Sequence, residues 1–146
     1  FISSTFWTER IGPTAALATL KVMEREESWK KITETGIKMQ KGWLELAKQN
    51  NLDITVSGIA AMTTYSFNYN NALSYKTLIT QEMLKKGFLA STNFYACTEH
   101  TDEHLDLYLN ALSDIYKTIS KCESEETNIN SLLEGPISHS GFKRLN

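Results

Sequence analysis

Apolar positions recur at helical spacing along most of the chain, switch to a spacing of two in one central stretch, and then return to helical spacing. Residues 8–26 read as a first helix. Thr8 is placed to cap it, Pro13 or Thr14 begins its regular part, and Ile11, Leu17, Leu20 and Met23 share a side. The run Glu24-Arg25-Glu26-Glu27 interrupts that pattern, and Ser28 offers a second N-cap. A longer helix is expected from Trp29 to about Gln49, with Trp29, Ile32, Ile37, Trp43, Leu44 and Ala47 on one face and lysines opposite. Gly36 and Gly42 fall inside it. Each costs about 1 kcal/mol relative to Ala, so close approach of another element is the expected reason for their presence.

After Asn50-Asn51 the period becomes two. Residues 53–57 and 61–69 are expected strands. In the second, Thr63, Tyr65, Phe67 and Tyr69 alternate with Thr64, Ser66 and Asn68, the pattern of a sheet covered on one face. Ser57-Gly58-Ile59-Ala60 reads as the hairpin turn between them. Ser74 is expected to cap a helix over 75–86, with Leu73 and Leu78 placed for a hydrophobic staple and Gly87 as the stop. Phe88-Leu89-Ala90 and Phe94-Tyr95-Ala96-Cys97 read as one or two further short strands. Thr101 is placed to cap a last long helix whose stripe is Leu105, Tyr108, Leu109, Leu112, Ile115, Tyr116 and Ile119. Residues 122–130 are acidic and polar, a solvated linker, and 131–146 form an irregular tail. Helix, helix, strand, strand, helix, strand, helix is an α+β order, implying a short, mostly antiparallel sheet with helices packed on one face.

Composition narrows the function classes. The 146 residues fit one domain with a real core. A formal net charge of −2, with no long basic cluster, argues against a nucleic-acid partner. No apolar run reaches the roughly 20 residues that a membrane span needs. Cys97 and Cys122 are too few for a disulfide framework and read as reduced thiols of a cytoplasmic protein, Cys97 as a small buried strand residue. His100 and His104 stand four apart, but Thr101 occupies the position where a zincin helix needs Glu, so no metal ligand is assigned. Trp7, Trp29 and Trp43 read as packing anchors, with Trp7 also adjoining the opening turn. Lys143 and Arg144 suit a substrate carboxylate, against a default of a mobile tail.

Three segments carry a family likeness: Ser4–Leu20, beginning Ser-Thr-Phe-Trp; Gly87-Phe88-Leu89 after an amphipathic helix; and Glu99-His100-Thr101-Asp102-Glu103-His104-Leu105-Asp106. In this order they resemble the C-terminal small domain of the class III aminotransferases, pyridoxal 5'-phosphate (PLP) enzymes of fold type I, and among them the glutamate-1-semialdehyde aminomutase-like branch. The resemblance implies that the Thr5 hydroxyl donates to the PLP phosphate of the neighbouring subunit, with Ser4 beside it as the lesser candidate. It also implies a homodimer, a large PLP-binding domain upstream, and a small-molecule amino donor and acceptor. Residues 1–26 would then be the phosphate-contacting turn and linking helix, 27–121 the small α+β domain, and 122–146 a linker and tail.

The Schiff-base lysine and the Asp that pairs with the pyridinium are expected upstream, so no catalytic residue is assigned here and the fragment alone should be inactive. Two departures bear on chemistry. Thr8-Glu9-Arg10-Ile11-Gly12-Pro13 replaces the Gly-Asn-Pro turn of many class III members. Asn93-Phe94-Tyr95-Ala96-Cys97-Thr98 stands where the aminomutases carry Glu-Ala-Gly-Phe. The lost Glu favours amino transfer to a carbonyl acceptor over aminomutase chemistry. A free-standing interaction or regulatory domain is the alternative from a different class.

Overall fold

The charged run near residue 25 ends one helix and starts the next through a single left-handed residue, Glu27 (φ 47°). The computed structural model describes Thr5, residues 9–139 and Gly141. Its elements are α1 (Ile11–Glu26), α2 (Ser28–Gln49), β1 (Ile54–Ile59), β2 (Met62–Phe67), α3 (Ala72–Lys85), β3 (Asn93–Tyr95) and α4 (Asp102–Glu123), then a short 3₁₀ turn, Ile129–Ser131. The expected α+β order holds. The sheet is antiparallel, ordered β1-β2-β3, with Val56 opposite Tyr65 and Thr63 opposite Phe94.

Alternation in β2 decides which face of the sheet is covered. Thr63, Tyr65 and Phe67 are buried, while Ser66 and Asn68 face solvent. Above the covered face lie α2, α3 and α4. Trp43 anchors the centre, fully buried, with its ring 4.6 Å from that of Tyr65 and its indole N–H donating to the Tyr108 hydroxyl at 3.3 Å. The expected stripe of α4 is the core stripe: Leu105, Tyr108, Leu112, Ile115, Tyr116 and Ile119 are buried and Leu109 half-buried. Beyond α4, Ile129 seats in the same core and Leu132 and Leu133 pack against it.

Several local expectations shift for tertiary reasons. The inward face of α2 is Gly36, Met39, Gly42, Trp43 and Ala47, whereas Trp29, Ile37 and Leu44 are exposed. The two glycines set that face. A Cβ on Gly36 would lie 1.8 Å from the Ala60 carbonyl oxygen, and one on Gly42 would lie 2.5 Å from Leu109 Cδ1. The helix is thus rotated to bring its bare backbone onto the sheet and onto α4. The hairpin turn is Ala60-Ala61 rather than 57–60, because Ile59 pairs with Met62. Gly58 spends its positive φ (88°) inside β1, where any Cβ would meet the Met62 carbonyl oxygen at 2.6 Å. α3 starts at Ala72 after Asn71, so Ser74 lies buried within the first turn instead of capping it. Phe88-Leu89-Ala90 forms no strand, and Cys97 is exposed beyond the end of β3.

Candidate functional site

Local chemistry shapes the two segments where the sequence places function. At the start, Thr5 is an exposed turn residue; Ser4, Ser3, Trp7 and Thr8 lie outside the described residues, as do Lys143 and Arg144. Arg10 stands at the N-cap of α1 without a side-chain hydrogen bond, and the first turn is held instead by Gly12 N–H donating to Glu9 Oε1 at 2.7 Å. None of the 16 residues of α1 is buried.

The second segment runs from the end of α3 into α4. Gly87 (φ 87°) closes α3 in a Schellman arrangement: Gly87 N–H donates to the Leu84 carbonyl at 3.0 Å and Phe88 N–H to the Met83 carbonyl at 2.9 Å. Thr101 caps α4 reciprocally with His104, as its hydroxyl accepts from His104 N–H while His104 Nδ1 accepts from Thr101 N–H, both at 3.3 Å. Upstream, Cys97 N–H donates to His100 Nδ1 at 3.1 Å, and the His100 ring lies over Phe94 with centroids 5.0 Å apart. Each histidine therefore spends one ring nitrogen on a backbone amide, which makes the pair a turn-builder rather than a ligand pair. Among the described residues, no group of three or more His, Cys, Asp or Glu is arranged to hold a metal ion. His100, His104, Phe94, Phe88, Met39 and Tyr108 wall a hollow of about 490 Å³, which sequence reasoning missed because its parts come from α2, β3, α4 and the loops flanking β3.

Titratable groups divide by burial. The Tyr108 phenol is pushed up to about 12 by desolvation, only partly offset by the indole of Trp43. Burial also raises Tyr65 and Tyr116, and neither hydroxyl has a hydrogen-bond partner among the described residues. Burial, then the hydrogen bond to Glu123, raises Tyr75. These phenols stay protonated and structural. A Schiff-base lysine needs a lowered pKa in a desolvated pocket, and Lys38 and Lys85 are shifted the opposite way. Lys38 is exposed and raised by its bond to Asp102 (2.6 Å), and Lys85 is raised by Glu134 and Glu82.

Comparison with known proteins places this geometry. No protein-family model matches the chain. Glutamate-1-semialdehyde 2,1-aminomutase of Clostridium kluyveri is 31% identical over 115 residues, covering 68% of this chain and 27% of that protein. The enzyme of the same name from Methanosphaera stadtmanae is 26% identical over 133 residues (79% and 31%), and that from Clostridium botulinum 30% identical over 113 residues (66% and 26%). The chain is a distant homologue of the glutamate-1-semialdehyde aminomutases. In fold it matches the FumI protein of a Sphingopyxis species, solved in its PLP internal aldimine form, with a TM-score of 0.73 at 17% identity over 91% of this chain and 33% of that one. The chain spans about a quarter to a third of the length of these proteins.

That family is PLP-dependent, and the described residues meet the needs of the cofactor only in part. They do not fit its ring: no described lysine is buried, and Lys38 and Lys85 are raised by their carboxylate partners, not lowered. What they offer is one exposed hydroxyl, Thr5, suited in kind to a phosphate oxygen. Among the described residues no helix is long and apolar enough to cross a membrane.

Proposed function

We propose that these residues are the C-terminal part of a PLP-dependent class III enzyme that moves an amino group, working as a homodimer with a large PLP-binding domain upstream. The observation that carries this reading is the sequence match to three aminomutases over 66–79% of the chain, together with a fold match to a PLP enzyme. PLP, when bound, supplies an electron sink for chemistry at an amino-bearing carbon. This chain's own part is to close one side of the site and to hold the phosphate of the neighbouring subunit with the Thr5 hydroxyl. A charge-assisted hydrogen bond of that kind is worth about 1.5–3 kcal/mol.

Thr5→Val in the intact enzyme should therefore lose PLP roughly 10- to 100-fold more readily on dialysis, followed by the cofactor's absorbance. Equal retention in wild type and variant removes the role from Thr5.

Transfer to a separate carbonyl acceptor is our first reading, because Asn93-Phe94-Tyr95 holds no Glu where the aminomutases are expected to have one. The names of the matched relatives favour the second, an aminomutase in which donor and acceptor carbons belong to one molecule. Product analysis separates them: a transaminase needs and consumes a second substrate, whereas a mutase converts one substrate without it.

A further inference from the structure

Phe88-Leu89-Ala90 has the composition of a strand, yet among the described residues it pairs with nothing. Phe88 N–H is spent on closing α3, and the backbone groups of Leu89 and Ala90 have no partner among the described residues. Leu89 is 97% exposed. A few residues on, β3 presents a free edge. The Thr92 carbonyl accepts from Tyr65 N–H at 3.0 Å, and Ala96 N–H donates to the Ala61 carbonyl at 2.9 Å. Residues 92, 94 and 96 thus turn their backbone groups toward β2, and strand alternation leaves the N–H and C=O of Asn93 and Tyr95 pointing off the sheet.

Two hollows flank this edge. The 490 Å³ hollow lies between 88–90, β3 and the first turns of α4; a second, of about 360 Å³, lies on the α3 side beside Leu84. Neither is lined by Asp, Glu, Lys or Arg, in a chain with 22% charged residues. An uncharged rim beside an open strand edge is the surface on which β-addition works: main-chain bonds give affinity and the hollows take alternate side chains.

We infer that this edge receives an extended, uncharged segment of polypeptide from outside residues 1–146, which adds to β3 and seats apolar side chains at alternate positions in the two hollows. The inference rests on the reading that the chain is part of a longer enzyme, the matched proteins being about three to four times as long. A second copy of this chain suits the site less well. β3 has only three residues, and pairing two such edges would leave both hollows open.

The test places a benzophenone photocrosslinker at position 89 of the full polypeptide and identifies the crosslinked peptide by mass spectrometry. The expected product is an extended apolar segment outside residues 1–146. A crosslink confined to this stretch, including residues 1–8, a crosslink to a second copy, or no crosslink overturns the inference. Hydrogen exchange of the unsubstituted protein is the second measurement, since it needs no variant. The Asn93 and Tyr95 amides should exchange at least tenfold more slowly than in an unfolded peptide, and unprotected amides overturn the proposal. PLP retention on the same samples separates the two claims: bound PLP without an outside crosslink sinks only this inference, and an outside crosslink without bound PLP sinks only the proposed enzyme class.

Discussion

α1 and α4 are both long helices with many apolar residues, and they end in opposite situations. α4 alternates its apolar stripe with Asp106, Asn110, Asp114 and Lys117, and it buries that stripe against α2, α3 and the sheet. In α1, residues 11–20 carry no charge at all, yet Ile11 is 80% and Leu17 61% exposed. The difference teaches that apolar content and apolar pattern answer different questions. A stripe says that a helix finds its core within the same chain. The uncharged first ten residues of α1 have the composition of a helix segment enclosed on several sides, whereas the described residues bury none of α1, which meets α2.

The comparison breaks or stands on measured stabilities. Leu112→Ala should cost about 2–5 kcal/mol in urea unfolding, because a fully buried side chain leaves a cavity. Leu17→Ala should stay within about 0.5 kcal/mol, as for an exposed position. A loss above about 2 kcal/mol at Leu17 would show α1 packed in a way the described residues do not provide. A glycine pair sharpens the point. Gly36→Ala should destabilise by about 1–3 kcal/mol, since its methyl strikes the backbone of Ala60, which no side-chain rotation can clear, and α2 must shift from the hairpin. Gly12→Ala meets only Glu9 Oε1 at 4.0 Å, but the Pro13 ring disfavours a helical Cβ before it and offsets the gain in propensity, so the change should stay within about 0.5 kcal/mol.

The effect that is smallest at neutral pH is alkaline. Tyr108 in α4 has a folded pKa of about 12 against an ordinary value near 10. Its contribution is intact below pH 10 and is lost as pH rises from 10 through 12, because the unfolded phenol ionises first. Tyr108→Phe should flatten that part of the fall in urea midpoint between pH 9 and 11.5, and an unchanged slope would refute burial as the cause. α1 has no tyrosine and offers no counterpart.

What was legible in the residues was whatever is decided locally. The Thr101 cap, the Gly87 stop and the one-sided alternation of Thr63, Tyr65 and Phe67 all sit as expected, since each depends on neighbours within a few positions. The inward face of α2 was misread because Trp29, Ile37 and Leu44 outscore Gly36 and Met39 in hydrophobicity, although close backbone approach selects the glycines. At the candidate site, Thr5 was marked by resemblance and sits exposed in a turn, while Ser4 lies outside the described residues. The hollow beside His100 and the open edge of β3 had no sequence signal, because each is assembled from elements far apart in the chain.

By itself, then, the amino-acid order determined the element types, their succession and the likeness to PLP enzymes, through periodicity, caps and short motifs that act over one or two turns. Only the tertiary structure decided how α2 is rotated, where the hairpin turns, that Cys97 lies in solvent and that 88–90 stays unpaired. Those outcomes depend on which surfaces meet across the fold, and a surface finds or lacks its partner only when the whole chain is in place.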